Sequence, residues 1–354
     1  MYTYSVIIPS YRLDIENQED LVEEIARIYG YNNLPSSLPS FQQNKIIIDK
    51  NQIYRELNKR QLSNLGYQEI ITYSLVSQEI KNDFCSSLEN EFYQLLVPKS
   101  KNYVYYRQSV LPSHLKVIAH NLTYQNENVF FFEISKIYSP NEEETLALSG
   151  TGKIIANPVH KLEQDHDFFW LKGTIERIFQ SFNIAEKINF VPSKIKELHP
   201  YQSADILLNQ EKIGFLGRIY PQISKKYQIN QPVFGTQISL SKLFAFLQKN
   251  NQWCYQTISP FPKIEQDLSF IFEENISAGK VIEVIKKNGD PWLKKVKVFD
   301  IYQSKEDKKN KQKSLAFRLT FQSQTRTLQK SEIEEIIKKI TSRLETSLNA
   351  KLKI

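Results

Sequence analysis

The last part of the chain, residues 257–354, carries the pattern that most limits how the chain folds. Every second side chain in one stretch is large and apolar: Leu315, Phe317, Leu319 and Phe321. This alternation predicts a strand with one buried face. The predicted elements are strand 267–272, helix 277–288, strand 296–302, strand 314–321, helix 330–348 and strand 350–354. The order βαββαβ is typical of the ferredoxin-like fold, so we expect that fold here.

Prolines predict where the chain is divided. Pro260 and Pro262 force an extended backbone before the last domain, and Pro35 and Pro39 do the same after a helix that ends at Gly30. We therefore predict three parts: 1–39, 40–252 and 257–354. The middle part has several predicted strands, one at 69–76, between helices without regular βαβ spacing. That arrangement favours an α+β domain on an antiparallel sheet. The first part has too few elements to bury a core of its own.

The net charge of +7 is confined to the last part. Residues 257–354 hold 17 Lys and 3 Arg against 13 acidic residues, whereas residues 1–256 hold 26 charges of each sign. A neutral body with one basic domain indicates an anionic partner for that domain. The alternative is a lysine-rich surface that only contacts solvent.

Composition and spacing argue against catalysis by this chain. It has only 10 glycines and no Walker A or GxGxxG stretch to bind phosphates. Its two cysteines form no CxxC pair, and its five histidines accompany no GxSxG or HExxH motif. We therefore expect no nucleophilic catalysis, no zinc site and no disulfide framework. We also expect no signal peptide and no membrane span, because no run of about 18 apolar residues occurs.

Four carboxylates cluster around the first predicted helix. Asp20, Glu23 and Glu24 lie at i, i+3 and i+4 on one helix face, and Asp14 lies just upstream. Magnesium prefers oxygen ligands, so the set is a candidate Mg²⁺ site. The alternative is a solvated acidic first turn that complements the helix dipole, with Glu23 paired to Arg27.

Basic residues collect around the second and third strands of the last part. They are Lys308, Lys309, Lys311, Lys313, Arg318 and Arg326. Lysines neutralise phosphates and aromatic faces stack unpaired bases, so these residues are candidates for binding single-stranded RNA. A solvated hairpin is an equal alternative for the lysines. For the aromatic side chains of Tyr302, Phe317 and Phe321, we expect core packing.

Several stretches together resemble one family, the β subunits of bacterial-type phenylalanyl-tRNA synthetase, over their C-terminal half. PSYRLDI at 9–15 and DLVEEIARIYGY at 20–31 resemble the end of the module before that subunit's core. Five stretches resemble the catalytic-like domain of the family: RQSVLP at 107–112, FEI at 132–134, LKG at 171–173, HP at 199–200 and IGFLGR at 213–218. Its anticodon-binding domain is resembled by DLSF at 267–270, FDIY at 299–302, KSLAFRLTFQS at 313–323 and TRTL at 325–328.

The resemblance implies a fold and a role for each part. It implies a class II synthetase-like antiparallel sheet domain in 40–252 that lacks catalytic residues, since these lie in the α subunit. The sequence agrees, because Gly217-Arg218 is not followed by the glycine-rich motif that an active class II site uses for ATP. The implied assembly is an (αβ)₂ complex that uses ATP, in the cytoplasm or, if organelle-encoded, the plastid stroma.

The resemblance also implies ligands. Residues 257–354 would bind the anticodon region of tRNA(Phe). A Mg²⁺ site shared with the α subunit would lie at Asp14, Asp20, Glu23 and Glu24.

One departure from the family leaves alternatives open. Family β subunits carry a long N-terminal part, with an oligonucleotide-binding fold and a domain that hydrolyses mischarged tyrosyl-tRNA, and this sequence has neither. It is either a fragment or a short β subunit that does not edit. A stand-alone RNA-binding protein derived from the β subunit is the other hypothesis. The missing glycine-rich motif disfavours a self-sufficient ligase.

Overall fold

The structure, a computed structural model, describes residues 3–39, 48–85, 92–138, 141–157, 159–250, 255, 257–304 and 310–353. Contacts divide the chain into two compact units, Met1–Asn251 and Gln252–Ile354. The predicted separation of 1–39 from 40–252 stays a prediction. In the described part of the chain, no helix is both long and apolar enough to cross a membrane.

The first unit contains six α-helices among its described residues. They are α1 (Gln18–Tyr29), α2 (Lys50–Asn64), α3 (Leu111–Thr123), α4 (Phe168–Ser181), α5 (Pro221–Lys226) and α6 (Leu240–Asn250). Two short 3₁₀ helices span Tyr31–Asn33 and Ala185–Lys187. Its strands are β1 (Gln68–Glu69), β2 (Leu75–Val76), β3 (Tyr105–Tyr106), β4 (Val129–Tyr138), β5 (Glu142–Thr151), β6 (Lys153–Asn157), β7 (Leu162–Asp165), β8 (Ile188–Pro192), β9 (Leu198–Leu208), β10 (Glu211–Ile219) and β11 (Val233–Ser239).

A seven-stranded sheet in the order β1-β4-β5-β11-β10-β9-β8 forms the centre of this unit. All its neighbours are antiparallel except β1 and β4, which run parallel. The expectation of an α+β fold on an antiparallel sheet is confirmed. Two small sheets, β2-β3 and β6-β7, are separate from it.

Apolar side chains cover both faces of the central sheet. Phe131 and Phe132 are neighbours in β4, yet they belong to different buried clusters because successive side chains of a strand point to opposite faces. Phe132 lies in the cluster that includes residues of α2, α4 and α6. Phe131 lies in the cluster that includes residues of α3.

The predicted strand 69–76 is wrong in its middle. Only Gln68–Glu69 and Leu75–Val76 pair as strands, and they belong to different sheets. A buried polar contact accounts for the interruption. The Thr72 hydroxyl lies 2.6 Å from Arg107 Nη1 and donates to Glu133 Oε2 at 2.7 Å. These contacts hold the half-buried side chain of Thr72 against the buried Arg107 and Glu133.

Arg107 and Glu133 form a buried ion pair. Arg107 Nη2 donates to Glu133 Oε1 at 2.9 Å, and the two side chains are 1% and 3% exposed. His114 Nε2 lies 3.4 Å from Glu133 Oε2, and its Nδ1 lies 2.8 Å from Ser149 Oγ. Burial alone raises the pKa of Glu133, but His114, Arg107 and Thr72 together lower it to about 2. Burial lowers the pKa of His114, which favours its neutral form.

The described residues of the second unit form a four-stranded antiparallel sheet with two helices. Its elements are β12 (Ile264–Glu273), α7 (Ala278–Asn288), β13 (Leu293–Tyr302), β14 (Gln312–Phe321), α8 (Lys330–Leu348) and β15 (Lys351–Lys353). This is the predicted βαββαβ order, and the sheet order is β13-β14-β12-β15. The alternating residues of β14, with Phe270 and Phe272 of β12, pack against the helices. The predicted core positions Phe317 and Phe321 are confirmed.

The N-terminal segment before α2 buries little. No residue of α1 is buried, and its apolar side chains Val22, Ile25 and Ile28 are exposed. This agrees with the expectation that residues 1–39 do not form a core by themselves.

The buried ion pair predicts how stability depends on pH. The folded pKa of Glu133, about 2, lies below its ordinary value of 4.5. Ionised Glu133 therefore contributes its full stabilisation of the folded state above about pH 4.5. As the pH falls towards 2, the free energy of unfolding decreases by about 3 kcal/mol. Glu133→Gln removes this contribution, so its unfolding free energy changes less over that range. Hydrogen exchange of β4 and β5 peptides measures the local free energy of opening.

The matched control for this prediction is Glu142→Gln. Glu142 pairs with Lys136 at 2.6 Å at the surface of the same sheet, and such exposed pairs contribute little to stability. The unfolding free energy of Glu142→Gln should depend on pH in the same way as that of the wild type. Equal acid sensitivity of Glu133→Gln and the wild type would show that the buried pair does not govern the acid response.

Candidate nucleic-acid interface and carboxylate cluster

The sheet of the second unit has one face that neither of its described helices covers. Leu315, Phe317 and Phe321 point to the helices, so Ser314, Ala316 and Arg318, which alternate with them, point to the other face. Beside β14, β12 contributes Ser269, opposite Ala316, and Asp267, opposite Arg318. This surface, the open face, combines small, polar and charged side chains.

A groove of about 510 Å³ lies on the open face. Its lining residues are Ser269, Asp300, Tyr302, Ser314, Ala316 and Lys353. The floor of the groove is formed by small side chains. Among them, the hydroxyls of Ser269 and Ser314 lie 3.2 Å apart. Tyr302 is 54% exposed, and Lys353 Nζ lies 5.1 Å from the centre of its ring. The expectation of core packing for Tyr302 is wrong.

A bulge in β13 explains the exposed aromatic residues at this end of the strand. Lys297 lies opposite Arg318 and Asp300 lies opposite Ala316, so β13 has one residue more than β14 in this stretch. The extra residue breaks the simple alternation of side-chain direction along β13. Phe299, in this stretch, is 48% exposed and lies with its ring centre 5.3 Å from the Arg318 guanidinium.

Only some of the predicted RNA-binding residues present a free charge. Lys308 and Lys309 lie outside the described residues. Lys311 is exposed in the turn before β14. Lys313 donates to the backbone oxygen of Glu274 at 2.8 Å, and its partial burial lowers its pKa.

Both predicted arginines are paired within the chain. Arg318 donates from Nε and Nη2 to the two carboxylate oxygens of Asp267, each at 2.8 Å. Arg326 donates to Glu332 and lies 5.5 Å from the centre of the Trp292 ring. Fork-shaped pairing of this kind occupies donors that would otherwise contact phosphate. The sequence analysis did not predict these pairs.

The groove contains candidate residues that the sequence analysis missed, namely Asp300 and Lys353. Lys353 reaches the groove because β15 pairs with β12, which places it opposite Ser269. Asp300 lies in the stretch FDIY, which was noted only for its resemblance to a family. Strand pairing and the bulge, rather than any local pattern, bring the two residues together.

Three of the predicted metal ligands, Asp14, Asp20 and Glu24, have other partners. For Glu23, no partner is found among the described residues. Arg12 donates from Nε to Asp14 Oδ1 at 2.9 Å, and its Nη2 reaches Asp14 Oδ2 and Glu24 Oε1 at 2.7 Å each. Arg27 also donates to Glu24, not to Glu23 as the alternative predicted. Hydrogen bonds from Arg12 lower the pKa of Asp14 to about 2, and those from Arg12 and Arg27 lower that of Glu24.

Asp20 serves as a cap for α1. Its Oδ2 accepts hydrogen bonds from the backbone N–H groups of Glu16 and Asn17, at 2.8 Å each. These bonds lower the pKa of Asp20 and form a capping box with Asn17. The acidic first turn therefore stabilises the helix start, as the alternative to the metal site proposed.

The arrangement does not fit a magnesium ion. Carboxylates have suitable chemistry for Mg²⁺, but a guanidinium already joins Asp14 to Glu24. Among the described residues, no three or more His, Cys, Asp and Glu side chains are grouped as metal ligands. The magnesium site stays a prediction from the resemblance, and the geometry of this chain alone does not supply it.

The Arg12 contacts predict how the N-terminal segment responds to metal. Because Arg12 already neutralises Asp14 and Glu24, millimolar Mg²⁺ should leave amide hydrogen exchange of residues 10–30 unchanged. Arg12→Gln should speed exchange there, whereas Arg27→Gln, which keeps the Arg12 bridge, should have a smaller effect. Protection of these residues by Mg²⁺ in the wild-type chain would contradict the prediction.

Three family models match consecutive parts of the chain. "tRNA synthetase B5 domain" matches residues 2–31, "Phenylalanyl tRNA synthetase beta chain CLM domain" matches 34–240, and "Ferredoxin-fold anticodon binding domain" matches 259–353. The last match covers the unit that contains the open face.

Curated relatives agree with the family models. Phenylalanine–tRNA ligase beta subunits of Geobacillus kaustophilus and Bacillus cereus are each 32% identical over 359 residues, which cover 99% of this chain. That of Bacillus subtilis is 31% identical over 356 residues, or 98% of this chain. The matched region is 44% of the length of each relative, so this chain spans less than half of them.

Solved structures give a weaker likeness. A pyrrolysyl-tRNA synthetase from Desulfitobacterium hafniense has a TM-score of 0.46 and 13% identity, covering 57% of this chain and 71% of that one. The family assignment rests on the sequence models instead, since the beta-chain model alone matches more than half of the 354 residues. The chain belongs to the phenylalanyl-tRNA synthetase beta chain family.

Proposed function

We propose that this chain is a noncatalytic part of phenylalanine–tRNA ligase. In a cytoplasmic (αβ)₂ complex, the α subunit would attach phenylalanine to tRNA(Phe) with ATP. Residues 40–252, as a class II synthetase-like domain, would pack on α, and residues 257–354 would bind the anticodon region of the tRNA. The family of the chain and the names of its relatives support this proposal.

The groove on the open face is the observation that carries the RNA part of the proposal. An exposed Tyr302 ring offers a flat surface on which one unpaired base can stack. Lys353, near that ring, supplies a positive charge for a neighbouring phosphate. The small side chains of Ser269 and Ser314 leave room for a base between these groups.

Polar groups at the groove can distinguish one base from another. The carboxylate of Asp300 accepts hydrogen bonds from N–H groups on a base edge. The hydroxyls of Ser269 and Ser314 either donate or accept. Base edges are accessible in this way only in unpaired nucleotides such as those of an anticodon loop. The exposed Lys311 and the predicted Lys308 and Lys309 would add contacts to the RNA backbone.

The packing of the first unit supports a noncatalytic role for it. Helices and apolar clusters pack against both faces of its central sheet. The buried Arg107 and Glu133 are paired with each other and do not face solvent. We assign no catalytic residue to this chain, and no step of the proposed function uses a metal ion held by it.

A substitution in the groove tests the RNA part. Tyr302→Ala removes the stacking ring and should weaken binding of tRNA(Phe) about tenfold. Asp300→Asn, of nearly equal shape, should change preference among anticodon loops more than overall affinity. Tyr201→Ala, an exposed tyrosine of the first unit, is the matched control. Fluorescence anisotropy measures the affinity of all three variants for tRNA(Phe). If Tyr302→Ala binds like Tyr201→Ala, the groove is not the RNA site.

Aminoacylation tests the ligase part. The α subunit with this chain should charge tRNA(Phe), and the chain by itself should not. Charging by the chain alone would overturn the noncatalytic role. If the chain bound RNA but formed no complex with α, the stand-alone RNA-binding protein would be the correct reading.

A further inference from the structure

We propose that two lysines of β13 bind the phosphate groups of the RNA strand that continues out of the groove. They are Lys295 and Lys297, and we call them the lysine track. The inference rests on the proposed function, since it takes the groove beside Tyr302 as the place where one base is held. The ligand of the lysine track itself is the sugar–phosphate backbone next to that base.

The pairing of β13 with β14 places both lysines on the open face. Lys297 lies opposite Arg318, and Lys295 lies opposite Thr320. Arg318 and Thr320 are the strand neighbours of Leu319, which packs against the helices, so they point to the other side of the sheet. Residues directly opposite each other in an antiparallel pair share one face. The two valines that alternate with the lysines in β13 pack with the helix-facing core, as this arrangement requires.

The lysine track continues the line of the groove along the same strand. Tyr302 lies opposite Ser314 and Asp300 lies opposite Ala316, so groove and track occupy successive alternate positions along β14. Such positions are about 7 Å apart, a distance that one extended nucleotide spans. Asp300 is three residues after Lys297, and the bulge between them restores a common face.

The charges of the lysine track are available to a ligand. The acidic side chains that β12 places across the same half of the face are already paired. Asp267 accepts from Arg318 at 2.8 Å, and Glu265 Oε1 lies 2.7 Å from Lys263 Nζ. The track lysines are exposed, and no carboxylate among the described residues is paired with them. Lysines in this state neutralise the phosphates of a nucleic-acid strand.

The position of β13 at the edge of the sheet gives these lysines a second candidate role. In the order β13-β14-β12-β15, the described residues place no strand beyond β13. Lysines on an edge strand discourage pairing with strands of other molecules. That role requires no contact with RNA, so it predicts that the salt dependence of RNA binding is independent of the two side chains. The lysine track predicts the opposite.

The test measures the affinity of the full chain for tRNA(Phe) by fluorescence anisotropy, from about 50 to 300 mM salt. Lys295→Gln combined with Lys297→Gln removes two phosphate contacts. The slope of log Kd against log salt concentration should fall by about 1.4, because each contact contributes about 0.7 on a single strand. At 0.1 M salt, this change corresponds to about 25-fold weaker binding. The loss should be equal for a tRNA with another anticodon, since backbone contacts carry no sequence information.

Two further variants control for charge and for folding. Lys295→Arg with Lys297→Arg keeps both charges and should keep the wild-type slope. Lys338→Gln with Lys339→Gln removes two exposed charges from α8, which packs on the opposite face of the sheet. This control should keep the slope within about 0.3 of the wild type. Because all these side chains are exposed, thermal unfolding, measured alongside, should stay unchanged.

The outcomes separate this inference from the proposed function. A wild-type slope in the Lys295→Gln, Lys297→Gln variant, together with weaker binding by Tyr302→Ala, would overturn the lysine track and leave the groove standing. Self-association of that double variant with a wild-type slope would show that the lysines only protect the edge strand. An equal loss of slope in the α8 control would assign the effect to the overall charge of the second unit instead. Absence of tRNA binding by the wild-type chain would overturn both proposals.

Discussion

Arg107 and Glu133 meet inside the first unit, where almost no solvent reaches either charge. Removing two charges from water is unfavourable, and the pair persists because further partners complete its hydrogen bonds. Thr72 and the backbone oxygen of Lys136 contact the same two side chains, and His114 of α3 lies beside them. The pair thus joins β4 of the central sheet, α3 and the interrupted strand.

The two units use their sheets in opposite ways. In the first, buried Phe131 and Phe132 belong to clusters on both faces, so the sheet forms the interior of the unit. In the second, the two described helices lie on one face, and the other face presents Tyr302 beside a row of small side chains. The proposed RNA contact therefore lies on the less covered of the two sheets.

Sequence patterns predicted the elements whose partners are local. The alternation of β14 and the long apolar stripe of α8 each specify a buried face, and both were placed within a residue or two. The stretch 69–76 has the composition of a strand, but the buried Arg107 and Glu133, distant in sequence, interrupt it at Thr72. The basic residues of the candidate RNA site were found by charge. Sequence patterns did not predict the groove, because a bulge in β13 and the pairing of β15 with β12 create it.

The pairing of Arg318 with Asp267 affects how an RNA strand would be oriented on the second unit. Arginine forks fix the angle of a phosphate group, whereas lysine ammonium groups attract it from many directions. With Arg318 and Arg326 engaged inside the chain, lysines would be the main contacts to the sugar–phosphate backbone in the proposed RNA complex. A bound strand would thus be free to slide along them until a base enters the groove beside Tyr302. The register of the RNA would be set by that single stacked base.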